Sequence, residues 1–306
     1  MTGVTRTKHE PPTPPSLPPL GRLHAVLRLA IEEDLAEGGD VTSRLTIAED
    51  AVGAGTFVQK GAGVACGLPL VTHVAAAFDD RLMVDDAVAE GQFTAEPPVA
   101  LLRLRGPLRA LLTAERTALN LLTHLSGIAT LTRRFVDAVA GTNAKIYDTR
   151  KTTPGLRDLE KYAVRVGGGH NHRMGLHDMV LVKDNHIAGL ALPLAEAIAH
   201  VVERSRAEDP DRPIEVEVDT LDQLRTVLTV PGVDVILLDN MDCPKMATAV
   251  ELRDEANHAA KLEASGGVDL DTVTATAKTG VDRIAIGALT HSAPALDIGL
   301  DVKAEL

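Results

Sequence analysis

The sequence predicts an α/β protein: a parallel sheet built from repeated β/α units over the C-terminal part, preceded by a smaller α+β region. Three observations predict it. Short apolar runs recur, KIYD (145–148), MVLVK (179–183), IEVEV (214–218), VILLD (235–239), KLEASG (261–266) and RIAIG (283–287), with helix-length segments between them. Continuous apolar strands joined by helices imply a parallel sheet covered on both faces. Upstream, GTFVQKGAGVACG, RLMVDDAV and PVALLRLRGPL are β-like runs broken by Gly, Asp and Pro around an apolar helix near 68–77. Finally, aromatic residues are 2% of a chain that is 45% hydrophobic, so the core must be aliphatic, as in helix-on-sheet layers.

In chain order, MTGVTRTKHEPPTPPSLPPL carries six prolines between Pro11 and Pro19 and reads as a poorly ordered tail, residues 1–21. It has no apolar h-region and no stretch long enough to span a bilayer. Leu23, Val26, Leu27, Ala30, Ile31 and Leu35 step by three and four, which predicts a helix over 22–37 ended by Gly38-Gly39. The small α+β domain then takes 22–117. From Thr113, TAERTALNLLTHLSGIATLTRRFVDAVAG has helical spacing, with an interruption expected near Ser126-Gly127. The β/α repeats fill 118–291. Each strand ends in something polar or small: Asp148 to Lys151, Lys183 to Asn185, Glu217 to Asp219, Asp239-Asn240, Ser265 to Gly267, and Gly287. In an α/β barrel these ends meet at one rim, where active sites are built. Six strands do not fill an eight-stranded barrel, and an open doubly wound sheet is the competing architecture.

Charge and cysteine content narrow the function classes. The 306-residue chain has net charge −12, which argues against a non-specific nucleic-acid or membrane partner. Cys66 and Cys243 are its only cysteines, too few for a disulfide framework, so a reducing, cytoplasmic setting is expected. No G-x-S-x-G elbow, P-loop or H-E-x-x-H motif occurs.

Between Asp148 and Lys183 stand seven basic residues, Arg150, Lys151, Arg157, Lys161, Arg165, Arg173 and Lys183, against four acidic ones, Asp148, Asp158, Glu160 and Asp178. Arg157, Lys161 and Arg165 recur at helical spacing and read as a solvated face. Arg150, Lys151, Arg173 and Lys183 lie at strand ends or beside the loop GGGHNHR and are expected to face a shared pocket. A mixed Arg/Lys rim suits an anion with two kinds of acidic group. Thr153-Pro154 in DTRKTTPGLR reads as the start of the next helix. His170 and His172 form H-x-H, which without cysteines or a third ligand is weak evidence for zinc; an anion donor or a structural hydrogen bond fits better. Glu217 and Asp239 end neighbouring strands and are costly to bury unpaired. They could hold Mg²⁺, which takes one or two carboxylates plus waters and substrate phosphates, or pair with Lys183 or Lys151. Glu215 shares their alternation face, so the sequence leaves open whether Glu215 or Glu217 faces the site. EASGG (263–267), with Asp269 expected in the first turn of a following helix, and IAIGALTH (284–291) read as phosphate cradles at the last two strand ends.

DTRKTTPGLR, KYAVRVGGGHNHRMGLHDMVLVKDNHI, EVEVDTLDQL, ILLDNM, LEASGG and IAIGALTHSAPALDIGLD together closely resemble the quinolinate phosphoribosyltransferase family. AIEEDLAEGGDVTS and LTAERTALNLLTHLSGIATLT upstream are similar to it as well, so the resemblance runs from about residue 22 to the C-terminus. It implies an N-terminal α/β open-faced sandwich, rejoined by residues 292–306, with an incomplete α/β barrel. It also implies transfer of phosphoribosyl from 5-phosphoribosyl 1-pyrophosphate to quinolinate, with Mg²⁺, giving nicotinate mononucleotide, pyrophosphate and CO₂. By the same resemblance Arg116, Thr149, Arg150, His172, Arg173 and Lys183 would bind quinolinate, with Lys151 between the two substrates. Glu217 and Asp239 would hold Mg²⁺, partly through water, and Ser265, Gly266, Gly267, Gly287, Ala288, Leu289 and His291 would line the phosphate sites. Lys151, Lys183, Glu217 and Asp239 are then the expected catalytic set. The family resemblance further implies a homodimer or larger assembly in which Arg116 reaches the neighbouring subunit's pocket. The residues alone leave three rivals: a nicotinate phosphoribosyltransferase, a Schiff-base aldolase using Lys183 or Lys151, and a non-catalytic phosphate-binding barrel.

Overall fold

A computed structural model describes residues 15–305; the first part of the proline-rich tail, residues 1–14, lies outside the described residues. In chain order the elements are α1 (Leu20–Leu35), α2 (Val41–Thr46), β1 (Val52–Gln59), β2 (Gly63–Val64), α3 (Leu68–Phe78), β3 (Met83–Asp85), β4 (Phe93–Thr94), β5 (Val99–Pro107) and α4 (Leu108–Ala138). There follow β6 (Lys145–Tyr147), α5 (Arg157–Val166), β7 (Val180–Val182), α6 (Asp184–Leu190), α7 (Leu194–Glu208), β8 (Ile214–Val218), α8 (Leu221–Val227), β9 (Val235–Asp239) and α9 (Cys243–Glu255). The chain closes with β10 (Lys261–Ser265), α10 (Val273–Lys278), β11 (Arg283–Ala285), α11 (Ala288–His291) and β12 (Ile298–Glu305). Among the described residues no single helix is long and apolar enough to cross a membrane, and one bent pair, α6 with α7, passes that test by length and composition only.

The chain divides into two compact units. The first comprises residues up to Thr130, Arg165–Gly168 and Pro294 onward. Its sheet is antiparallel in the order β12-β1-β5-β3, so the C-terminal strand does return to the N-terminal sheet. The boundary between the units falls within α4, which runs unbroken from Leu108 to Ala138. The break expected at Ser126-Gly127 therefore does not occur, and packing explains the two residues. A Cβ on Gly127 would lie 2.1 Å from the Pro294 carbonyl oxygen, and the Ser126 hydroxyl accepts the Cys66 N–H at 2.9 Å. Both positions serve a close approach of backbone to helix, a role that Gly and Ser fill as well as they fill a helix end.

The second unit, Leu131–Val164 and Gly169–Ala293, holds a six-stranded sheet in the order β6-β11-β10-β9-β8-β7. Every pairing is parallel. This is an incomplete α/β barrel, with six strands where a closed one has eight. The sheet face turned away from its glutamates is aliphatic: Ile146, Val216, Ile236, Leu238, Leu262, Ala264 and Ile284 are all buried. Parallel register puts Glu217, Leu237, Glu263, Arg283 and Lys145 in one cross-strand row. Two residues further along each strand, Asp239, Ser265, Ala285 and Tyr147 form the next row on the same face, at the C-terminal rim.

Candidate active site

The corner after β6 begins with Asp148, which is fully buried. Burial raises its pKa, opposed by the charge and hydrogen bond of Lys161 and by hydrogen bonds from His172 N–H and the Asn171 amide. The Lys161 ammonium donates to Asp148 Oδ1 and, at 2.9 Å, to the His172 carbonyl. Asn171 Nδ2 donates to Asp148 Oδ2 at 2.6 Å and to the Lys161 carbonyl at 2.8 Å. Lys161 is thus 1% exposed, and the solvated face read from the spacing of Arg157, Lys161 and Arg165 is corrected: only Arg165 is exposed. Arg157 also turns inward, with Nε on Thr152 Oγ1 at 3.0 Å and Nη1 on the Met174 carbonyl at 3.0 Å. Buried Asp148 was the available signal, because a carboxylate in an apolar sheet needs a cation beside it.

Local hydrogen bonds shape the rest of this corner. Thr149 Oγ1 accepts the Lys151 N–H at 3.0 Å, and Thr290 Oγ1 donates to the Lys151 carbonyl at 2.8 Å, pinning the corner to α11. Thr153-Pro154-Gly155 is a turn, closed by the Leu156 N–H on the Thr153 carbonyl at 3.0 Å with Gly155 at φ 84°, and α5 starts only at Arg157. That corrects the helix start expected at Thr153-Pro154; Gly155 at positive φ makes the turn the better fit. Lys151 itself is exposed and lies against Gly287, where a Cβ would stand 2.8 Å from Lys151 Cδ and 3.1 Å from His291 Nε2. Lys151, Gly287 and His291 are therefore one cluster.

The GGGHNHR loop folds back beside β6. His170 N–H donates to the Ile146 carbonyl at 2.8 Å, its own carbonyl accepts the Asp148 N–H at 3.0 Å, and its ring stacks on Tyr147 with centroids 5.2 Å apart. His172 instead points into the barrel, where Nε2 lies 2.9 Å from Glu215 Oε2 and 3.4 Å from Glu263 Oε1. Both carboxylates are fully buried. Burial pulls the imidazole pKa down, but the hydrogen bonds and charges of the two glutamates outweigh it and raise it to about 10. The Arg173 N–H lies 2.7 Å from Nδ1, a contact that Nδ1 accepts only in the neutral ring, whose one proton is then on Nε2; the raised pKa favours instead the charged ring, which carries a proton on each nitrogen. The three ligand atoms lie within 4.8 Å of one another, a spacing a metal ion could bridge. A metal would need the Nε2 lone pair and would drive the ring proton onto Nδ1, against the Arg173 N–H; the contacts at Nε2 are close ionic ones, and the four oxygens of Glu215 and Glu263 have no hydrogen-bond partner among the described residues.

Arg150 and Arg173 are the free-facing cations here. Arg150 Nε is buried with no hydrogen-bond partner among the described residues. Burial and then the nearby Arg150 charge lower the Arg173 pKa, and its Nη1 makes one long contact, 3.4 Å, to the Met179 carbonyl. Two guanidiniums this close, one with an unused donor, form an anion receptor.

On the neighbouring strands, Glu215 and Glu217 share one face, and the structure separates them. Glu215 is closed off against His172, whereas Glu217 is 14% exposed and bonded to the Lys183 ammonium. Asp239 Oδ2 accepts the Asn240 side chain at 2.8 Å. Ser265 ends β10 next to Asp239, and its carbonyl accepts the Asn240 N–H at 2.9 Å. Gly266 and Gly267 follow with φ of 96° and 64°, an arrangement that turns successive N–H groups toward one concavity. The helix after them, α10, starts at Val273, so Asp269 lies in the preceding turn, not in a first helical turn, and accepts the Thr272 N–H at 2.9 Å. Of the last cluster, Gly287 and Ala288 are accessible while Leu289 is buried and can offer only backbone. Arg116 belongs to the first unit, where it is exposed and lines a groove with Val26, Ala30, Glu33, Thr117 and Asn120.

Known proteins carry the same pattern over nearly the whole chain. The family described as quinolinate phosphoribosyl transferase, C-terminal domain, matches residues 128–301, and its N-terminal domain matches residues 40–126. A nicotinate-nucleotide pyrophosphorylase [carboxylating] of Mycobacterium leprae is 45% identical over 281 residues, 90% of this chain and 95% of that protein. The probable enzyme of the same name from Bacillus subtilis is 40% identical over 88% of this chain and 90% of its own. Among solved structures, NadC from Streptococcus pyogenes superposes with TM-score 0.86 at 34% identity, covering 95% of this chain and 100% of that one.

Proposed function

The chain belongs to the quinolinate phosphoribosyltransferase family, and on that premise we propose how its residues run the reaction. It transfers phosphoribosyl from 5-phosphoribosyl 1-pyrophosphate to quinolinate with loss of CO₂, giving nicotinate mononucleotide for NAD synthesis. The observation that best supports the residue roles is the pair Arg150 and Arg173, with the buried, unused Nε of Arg150. Together with Thr149, Lys183 and Arg116 of the partner subunit, they bind the two quinolinate carboxylates.

Held in that clamp, the pyridine nitrogen faces C1′ of the ribose, and the bond from nitrogen to C1′ forms as the bond from C1′ to the pyrophosphate oxygen breaks. The clamp's work is orientation and replacement of the hydration of two carboxylates. Charge develops on the departing pyrophosphate, where the exposed Lys151, His291, and the N–H groups of Gly266, Gly267, Gly287, Ala288 and Leu289 stabilise it, beside the Ser265 hydroxyl. The ribosylated ring is cationic, so it accepts the electron pair of the adjacent carbon–carboxylate bond; CO₂ leaves and that carbon takes a proton.

Glu217 and Asp239 fit Mg²⁺ in donor type: two carboxylates on adjacent strands at the rim, one accessible and already engaged by a single lysine. Mg²⁺ when bound there would neutralise pyrophosphate charge, with waters completing its shell. The ammonium of Lys183, held by Glu217, speaks against a Schiff-base role, which needs a free amine. We further propose a cytoplasmic homodimer or larger assembly, supported by the exposed Arg116 and by two free cysteines.

Purified protein given quinolinate, phosphoribosyl pyrophosphate and Mg²⁺ is expected to release CO₂ and nicotinate mononucleotide in equal amounts. Product from nicotinate instead, without CO₂, would overturn the substrate assignment.

A further inference from the structure

Strands β9 and β10 end side by side. Asp239 and Ser265 are their last paired residues, and one further bond, from the Asn240 N–H to the Ser265 carbonyl at 2.9 Å, ties the two ends together before the chains part. Just past the ladder, Asn240 on one chain and Gly266 and Gly267 on the other all have left-handed backbones, with φ of 51°, 96° and 64°. Glycine adopts this conformation freely, whereas among residues with a side chain only asparagine and aspartate do so at modest cost.

The Asn240 side chain lies across both elements. Its Nδ2 donates to Asp239 Oδ2 at 2.8 Å. Its Oδ1 lies over Gly266, so closely that a Cβ there would stand 2.2 Å from it. Asp239 has no other hydrogen bond or ion pair among the described residues, which leaves its Oδ1 free. Glu217 is arranged alike, with Oε2 held by the Lys183 ammonium.

We propose that Asn240 is a positioning residue for the phosphoribosyl pyrophosphate site, holding the Asp239 carboxylate in register with the Gly266–Gly267 turn so that Asp239 Oδ1 and the N–H groups of the turn meet one diphosphate together. This rests on the reading of Asp239 as a Mg²⁺ ligand and of Ser265, Gly266 and Gly267 as a phosphate cradle. The position selects its residue by elimination. Glycine fits the backbone but leaves the Asp239 carboxylate free to rotate. Aspartate fits as well, yet at neutral pH it sets a second carboxylate against the first with no proton to donate. Asparagine alone supplies a donor to Asp239 and a flat amide that packs on a Cα lacking a Cβ. With one oxygen tied, Asp239 offers a single fixed oxygen, the service that hydrogen-bond partners of ligating carboxylates perform at metal sites.

The test compares Asn240→Gly, which keeps the backbone conformation and loses the amide, with Asn240→Ala, which loses the amide and adds strain, both in the full-length enzyme. In calorimetric titrations with phosphoribosyl pyrophosphate and Mg²⁺, both variants are expected to bind on the order of 10–100-fold more weakly than the wild type, while quinolinate titrated alone stays within about twofold. Thermal unfolding of the ligand-free protein should separate them, with Asn240→Gly melting above Asn240→Ala. An asparagine needed only for its backbone gives another pattern: Asn240→Gly binds phosphoribosyl pyrophosphate like the wild type, and that result overturns the inference. A double-mutant cycle checks the route. In an Asp239→Asn background, Asn240→Gly should cost less than about twofold more in phosphoribosyl pyrophosphate affinity, and full additivity would show that Asn240 does not act through Asp239. A wild type that binds no phosphoribosyl pyrophosphate would instead overturn the cradle reading itself. If Asn240→Ala does not fold, Asn240→Gly carries both the titrations and the cycle.

Discussion

Gly266 and Gly267 are adjacent, both have positive φ, and both belong to the proposed phosphate cradle, yet the structure predicts that alanine is tolerated very differently at each. At Gly267 an added Cβ meets nothing within 4 Å, so Gly267→Ala faces only the left-handed backbone at φ 64°, a cost of about 1–2 kcal/mol. At Gly266 the same backbone cost applies at φ 96°, further from the left-handed minimum, and the Cβ would also stand 2.2 Å from Asn240 Oδ1 and 3.0 Å from Asn240 N. The side chain must leave, which breaks its 2.8 Å bond to Asp239, and the backbone N, bonded to the Ser265 carbonyl at 2.9 Å, must shift. Losing a charge-assisted bond and disturbing a backbone one adds about 2–3 kcal/mol, for roughly 3–5 kcal/mol in total at Gly266 against 1–2 at Gly267. Urea denaturation followed by far-ultraviolet circular dichroism reads the difference, and titration with phosphoribosyl pyrophosphate reads the function. The expected result is a Gly266→Ala variant clearly less stable than Gly267→Ala and at least tenfold weaker in phosphoribosyl pyrophosphate binding, since roughly 1.4 kcal/mol is tenfold. Equal stability of the two variants would refute the reasoning, because the Asn240 contact and the less favourable φ both act against Gly266→Ala alone.

The remaining predictions use other parts of the chain. Lys161→Met leaves Asp148 charged and buried and should destabilise by about 3–5 kcal/mol, while Lys161→Met with Asp148→Asn recovers much of that loss; additive losses by thermal unfolding would contradict the pairing. Asp40 caps α2, accepting the Ser43 N–H at 2.9 Å, and bonds to Ser43 and Thr113, chiefly the Ser43 hydroxyl, lower its pKa below the usual 3.8. Asp40→Ala should cost about 0.5–2 kcal/mol at neutral pH. A depressed carboxylate pKa contributes stability above the unfolded value and loses it as pH falls through the folded one, so this difference should shrink below pH 3.8; a gap that persists unchanged in acid counts against the cap. Arg116→Ala should weaken quinolinate binding far more than that of phosphoribosyl pyrophosphate, and mixed assemblies with a Lys151→Ala chain should regain activity; absence of rescue argues against shared sites.

The sequence by itself determined the strand content of the second unit, because six apolar runs ending in reactive residues are a local, repeated signal, and all six became strands of one parallel sheet. It also carried the family, through motifs that sit at those strand ends. What it did not show was orientation. Helical spacing grouped Lys161 with Arg157 and Arg165, but whether a lysine faces water depends on what lies opposite, and Asp148 lies opposite only after β6 and α5 pack. Period-two alternation put Glu215 and Glu217 on one face without saying which meets open space; that was decided by His172 arriving from a loop to close over Glu215. The Ser126-Gly127 pair read as a helix break for the same reason, since the Pro294 carbonyl that requires a glycine there is distant in sequence. Local propensity and periodicity are written in neighbouring residues, whereas the partner of a buried charge is supplied by tertiary packing, and which of Glu215 and Glu217 stays accessible depends on that partner.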